Sequence, residues 1–204
     1  IADELVDGAA AQAHTDPAAA LDAYEQTILA APQRRLHTDP IVHAYAITAR
    51  RCGFHREYLA AFFNSMRADL TQREYSPSEL QDYIYGSAEA IGLLCLQIFL
   101  AEEDVSPADR AAMERGARAL GSAFQKINFL RDLGEDSSTL GRTYFQQAPS
   151  GRIDEATKSA LIAEIRQELA TAALTIDVLP ASARVGVSAA ADIFAELTNR
   201  LAAT

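Results

Sequence analysis

Apolar positions recur along this chain at helical rather than alternating spacing, and the apolar stretches are closed off by helix punctuation. Ser76-Pro77-Ser78-Glu79 has the serine, first-turn proline and third-position glutamate of a capping box. Thr38-Asp39-Pro40 and Ser106-Pro107 are starts of the same kind, while Pro32 and Pro180 mark stops. The pattern predicts helices near 2–13, 18–30, 40–51, 56–72, 77–101, 107–134, 155–179 and 182–202 and no convincing strand, hence an all-α fold. Between Leu80 and Leu100 the apolar residues go almost all round the helix, which predicts burial at the centre of a bundle. Asp82 and Glu89 on that helix argue against a membrane span. Gly86 and Gly92 are expected chiefly to permit close helix packing, with room for a ligand as the second reading. Taken alone, Tyr83 and Tyr85 read as core aromatics.

Two acid pairs of identical spacing stand out against this background, Asp3 with Asp7 and Asp132 with Asp136. Residues four apart share one helix face, so each pair can present two carboxylates to a hard cation such as Mg²⁺, with phosphate oxygens completing its shell. The 14 Asp among 204 residues give about one such pair by chance, so spacing alone does not carry the assignment. Asn128 precedes Asp132 by four residues and Gln125 lies a turn earlier, which makes one stripe of amides and acids. The competing reading is the solvated face of an amphipathic helix, with Arg131 and Glu135 as an ordinary i,i+4 ion pair.

Composition narrows the classes. With 204 residues, 49% of them hydrophobic, the chain can bury a sizeable core, and a single domain over 1–204 is expected. A net charge of −10 argues against a nucleic-acid partner, which requires clustered Lys and Arg. Cys52 and Cys95 form no disulfide framework; Cys95, in an apolar run, is expected as a buried free thiol, consistent with a reducing cytoplasm. His14, His37, His43 and His55 lack zinc spacing.

The motif Gln125-x-x-Asn128-x-x-Arg131-Asp132-x-x-Glu135-Asp136, followed by Gly141-Arg142-Thr143-Tyr144 and preceded far upstream by Asp3-Glu4-Leu5-Val6-Asp7, resembles the squalene/phytoene synthase family. Phe62 to Leu70, with Met66-x-x-Asp69-Leu70, and Tyr83-Ile84-Tyr85-Gly86 running to Gly92 are similar to further segments of that family, in the same order. The wording is nearest to its bacterial phytoene synthases.

The resemblance implies an isoprenoid synthase-type helical bundle around a central apolar cavity. The implied activity is that of a prenyltransferase of carotenoid biosynthesis, joining two geranylgeranyl diphosphates head to head through a cyclopropyl diphosphate. It implies Mg²⁺, with Mn²⁺ as a substitute, held by Asp3, Asp7, Asn128, Asp132 and Asp136. Those four acids would be catalytic together with Tyr83, and Gln125, Asn128, Arg131, Arg142 and Tyr144 would bind substrate. Prenyl diphosphates are the implied partners. A cytoplasmic location is implied, with peripheral membrane association for release of a lipophilic product and no transmembrane span. Squalene or dehydrosqualene synthesis from farnesyl diphosphate is the alternative; a terpene cyclase fits the second motif less well; a non-catalytic assembly protein of the same family stands as a different class. Three departures are visible: Ile1 stands two residues before Asp3 and the sequence ends at Thr204, so the family's N-terminal helix and C-terminal end are expected to be missing; Phe194 stands where many members have Tyr; and Glu89 replaces a small residue.

Overall fold

The computed structural model describes residues 1–135 and 153–203. Among the described residues there is no strand, and helices follow one another: α1 Ala2–Asp7, α2 Ala9–Gln12, α3 Pro17–Ala30, α4 Pro40–Cys52, α5 Arg56–Thr71, α6 Pro77–Ile84, α7 Ala90–Phe99, α8 Pro107–Glu135, α9 Glu155–Ile176 and α10 Ala181–Ala203. A short 3₁₀ turn, Ala31–Gln33, and a π turn, Tyr85–Glu89, complete the order. The starts are fixed locally. The Asp39 side chain accepts from the amides of Ile41 and Val42 at 2.8 and 3.1 Å, and Asp16 and Asp154 cap α3 and α9 in the same manner. The predicted capping box forms: Ser76 Oγ accepts from Glu79 N at 3.3 Å and Glu79 Oε2 from Ser76 N at 2.8 Å. Such a cap contributes about 1 kcal/mol.

Two predicted helices are broken. The helix expected over 2–13 stops at Gly8, whose φ of 136° no side-chain-bearing residue adopts readily. The helix expected over 77–101 widens into the π turn between α6 and α7. Its cause lies on α5: Gly86 is buried so tightly that a Cβ there would stand 2.2 Å from the Ala61 carbonyl oxygen. Ser65 Oγ donates to the Tyr83 carbonyl at 3.0 Å, giving that oxygen a partner where the helical ladder is disturbed.

The unit α6–π turn–α7 is packed between α5 and α8, which both rest on the π turn. On one side Leu21, Val42, Phe63 and Met66 form a core with Leu94. On the other, Ile127, Leu161 and Ile165 form a second core beneath α10. The central position of the apolar helix is therefore as expected, but its burial is not all round. Leu93, Leu94 and Leu96 are buried, whereas Cys95, expected to be a buried thiol, is exposed. Among the described residues no helix is long and apolar enough to cross a membrane.

Candidate active site

The exposed side of α7 faces a cavity of about 560 Å³ bounded by α7, α8, α9, α10 and the π turn, with Ala88, Ile91, Leu120, Phe124, Ile176 and Val187 in its wall. Cys95 belongs to the same wall, which accounts for its exposure. The apolar residues that periodicity assigned to an all-round core are thus divided between packed helices and an oily hollow.

One face of α8 joins this hollow to the predicted polar stripe. Ala117, Leu120, Gly121 and Phe124 line the cavity. Asn128 and Asp132 follow Phe124 by four and eight residues, on the same face and about 6 and 12 Å further along the axis. Gln125, Asn128 and Asp132 are all half-buried. The helix therefore carries apolar side chains along the cavity and oxygen-bearing ones beyond its end, an arrangement suited to an amphiphile with a long apolar tail and a charged head. Phe194, at one of the noted departures, stacks on Phe124 with ring centroids 3.8 Å apart.

The Arg131 guanidinium grips its neighbour Asp132 through Nε to Oδ1 at 2.7 Å and a second nitrogen to Oδ2 at 2.6 Å, while the side chain of Glu135, its expected partner, lies outside the described residues. Asp3 is exposed on α1, which rests on α3 and α5, whereas α8 rests on α7, α9 and the π turn. The helices that carry Asp3 and Asp132 thus pack on different neighbours. Asp7 closes α1, and its side chain lies outside the described residues, as do Asp136, Arg142 and Tyr144. Among the described residues no three His, Cys, Asp or Glu side chains converge as a metal site. The donors on these motifs are carboxylate and amide oxygens, the chemistry a hard divalent cation prefers.

Tyr83 is buried, and its hydroxyl donates to both carboxylate oxygens of Asp69, at 3.0 and 3.2 Å. Tyr75 meets its ring edge-on at 5.2 Å and Phe129, next to Asn128, lies 6.0 Å away. With its proton directed at Asp69, Tyr83 offers neighbours an aromatic face and oxygen lone pairs, not a donor. Asp69 lies in the Met66-x-x-Asp69-Leu70 segment, where nothing local marks it as the partner of Tyr83; a buried carboxylate needs a partner, but this one is remote in sequence.

The opposite face of α8 borders a second cavity of about 670 Å³. Lys126, with only 10% of its side chain exposed, reaches Glu164 and Glu168 at 2.6 Å each, and Ser122 donates to Glu168 at 2.8 Å. Burial pushes the Glu168 carboxyl above its ordinary range, against the pull of Lys126 and Ser122. Glu89 is turned to this side, away from the apolar hollow, and holds Arg118 at 2.6 Å; that guanidinium lies 5.4 Å over the Tyr85 ring. The departure at Glu89 is thereby matched by a cation one helix away.

Comparison with known proteins bears on the family and the fold. Phytoene synthase 3, chloroplastic, of Zea mays is 38% identical over 149 residues, which cover 71% of this chain and 33% of that protein. The 4,4'-diapophytoene synthase of Staphylococcus haemolyticus is 33% identical over 111 residues, 54% of this chain and 36% of that one. The matched stretches thus span about a third of each of these curated relatives. The crystal structure of squalene synthase HpnC from Alicyclobacillus acidocaldarius shares the fold, with a TM-score of 0.68 at 21% identity over 92% of this chain and 72% of that one. The squalene/phytoene synthase family model matches residues 1–204, so an all-α chain with an oily cavity ending in a polar helix stripe belongs to the squalene/phytoene synthase family.

Proposed function

We propose that this chain is a prenyltransferase that joins two geranylgeranyl diphosphates head to head through a cyclopropyl diphosphate to give phytoene. The observation that carries the reading is the single face of α8 on which cavity-lining Ala117, Leu120 and Phe124 pass into Asn128 and Asp132. An isoprenoid tail would lie along the apolar part, and its diphosphate would reach the amide and acid stripe. Phytoene synthases among the relatives favour the twenty-carbon substrate.

In this proposal Asp3, Asp7, Asn128, Asp132 and Asp136 hold Mg²⁺, and Arg131, Gln125, Arg142 and Tyr144 contact the diphosphate. Bound Mg²⁺ supplies Lewis-acid assistance to the departing diphosphate. The protein's own part is to exclude water from the allylic cation, which the apolar wall does, and to place the Tyr83 ring and lone pairs where positive charge develops. Asp69 holds that phenol in one orientation. A hydrocarbon product suits release by peripheral contact with a bilayer from a cytoplasmic enzyme.

The test is incubation with Mg²⁺ and either geranylgeranyl or farnesyl diphosphate, followed by analysis of hydrocarbon chain length. A forty-carbon hydrocarbon is expected, and Asp132→Asn should lower turnover by orders of magnitude with an unchanged circular dichroism spectrum. Synthesis that persists in excess EDTA overturns the metal assignment. A thirty-carbon product made from farnesyl diphosphate alone replaces this reading with a squalene- or dehydrosqualene-type one.

A further inference from the structure

We infer that Gly186 sets the length of the isoprenoid tail the cavity admits, an inference that rests on the prenyl-diphosphate reading above. Glycine inside a helix is a poor helix former because it has the most backbone freedom to lose. It therefore calls for a local reason.

Elsewhere around the cavity the reason is packing. A Cβ at Gly92 would stand 2.7 Å from the Ala117 carbonyl oxygen, one at Gly121 2.7 Å from that of Ala88, and one at Gly116 1.9 Å from Thr175 Oγ1. At Gly186, in the second turn of α10, a Cβ would meet nothing within 4 Å, and its φ lies outside the left-handed region. Neither close approach nor backbone conformation requires a glycine there.

What Gly186 does face is the oily hollow. It lines the cavity together with Ala183, Val187 and Ala190 on the same side of α10, opposite the bulkier Ile91, Leu120 and Phe124. Gly186 is exposed, as a residue bordering an open hollow is. A side chain placed there adds volume at the border of the space a tail would use, without first pushing a helix aside. The absent side chain thus serves the ligand and costs the fold helix stability. A longer tail needs that space more than a shorter one, so position 186 discriminates by length.

The experiment compares Gly186→Ala and Gly186→Leu with the parent chain. It reads kcat/KM for geranylgeranyl and for farnesyl diphosphate, and thermal midpoints alongside. Gly186→Leu should lower the geranylgeranyl-to-farnesyl ratio tenfold or more, the scale on which filling a hydrophobic pocket discriminates. Gly186→Ala should shift the ratio less in the same direction while raising the midpoint by about 1–4 °C. A ratio within twofold of the parent, an equal loss on both substrates, or a fall in the midpoint of Gly186→Ala overturns the inference. A parent chain that consumes neither diphosphate overturns the prenyl-transfer reading and takes this inference with it. Activity with an unmoved ratio removes only the role of Gly186.

Discussion

A methyl group at position 86 tests the contact that creates the π turn. In Gly86→Ala the new Cβ would stand 2.2 Å from both the Ala61 carbonyl oxygen and Ser65 Oγ, and 2.8 Å from the Ala61 carbonyl carbon. Ser65 can rotate away, but only by giving up its 3.0 Å bond to the Tyr83 carbonyl. Ala61 O is backbone and cannot. Restoring an ordinary carbon–oxygen contact of about 3.3–3.6 Å moves α5 and the π turn apart by roughly 1 Å. Overpacking of this kind costs about 1–3 kcal/mol, and a lost buried hydrogen bond adds about 1 kcal/mol. Alanine's better helix propensity returns about 0.5–1 kcal/mol. The net loss is about 2.5 kcal/mol, and at 2–4 °C per kcal/mol for a chain of this size the midpoint should fall by about 5–10 °C. Thermal denaturation followed by circular dichroism measures it, and Gly186→Ala supplies the matched control, because it makes the same exchange with nothing within 4 Å. A midpoint equal to or above the parent's would mean that α5 does not press on Gly86 and that the π turn has another cause.

Lys126→Met should cost about 2–4 kcal/mol in urea unfolding, because it strands Glu168 while Glu164, 57% exposed, stays partly solvated; a loss below about 1 kcal/mol would show that the cluster contributes little. Although burial opposes its charge, Glu164 and Glu168 leave Lys126 holding its proton above the ordinary lysine range, so its contribution should persist through neutral pH and fade as pH climbs from the ordinary lysine range through that raised value. In Lys126→Met the raised Glu168 pKa works in the opposite sense, and stability should recover as pH falls and the carboxyl takes up a proton. Tyr83→Phe leaves the buried Asp69 carboxylate short of one donor and should cost about 1–3 kcal/mol, with a fall in kcat at nearly constant KM; an unchanged kcat would reduce Tyr83 to packing.

Much of the secondary structure is decided within a few residues of itself. Asp39 and Ser76 cap helices whose amides lie two and three positions away, so those starts are readable without a fold. The α8 stripe is readable for the same reason: helical geometry alone puts Asn128 and Asp132 on the face of Phe124. The same periodicity does not tell a packed neighbour from an empty hollow, which is why Cys95, expected inside the core, stands on the cavity wall instead. Both surroundings ask for apolar side chains.

Contacts made across long stretches of chain lay beyond the sequence. The π turn depends on Ala61 and Ser65 pressing on Gly86, the orientation of Tyr83 on a carboxylate 14 residues earlier, and the charge of Lys126 on acids 38 and 42 residues later. Where helices start, how they are capped and which residues share a face follow from the local chain, because backbone hydrogen bonds and side-chain period act over one or two turns; the break at the π turn does not. Tertiary structure decided which of those faces meets a helix and which meets a cavity, because burial is a property of what lies opposite, and nothing local to a residue records that.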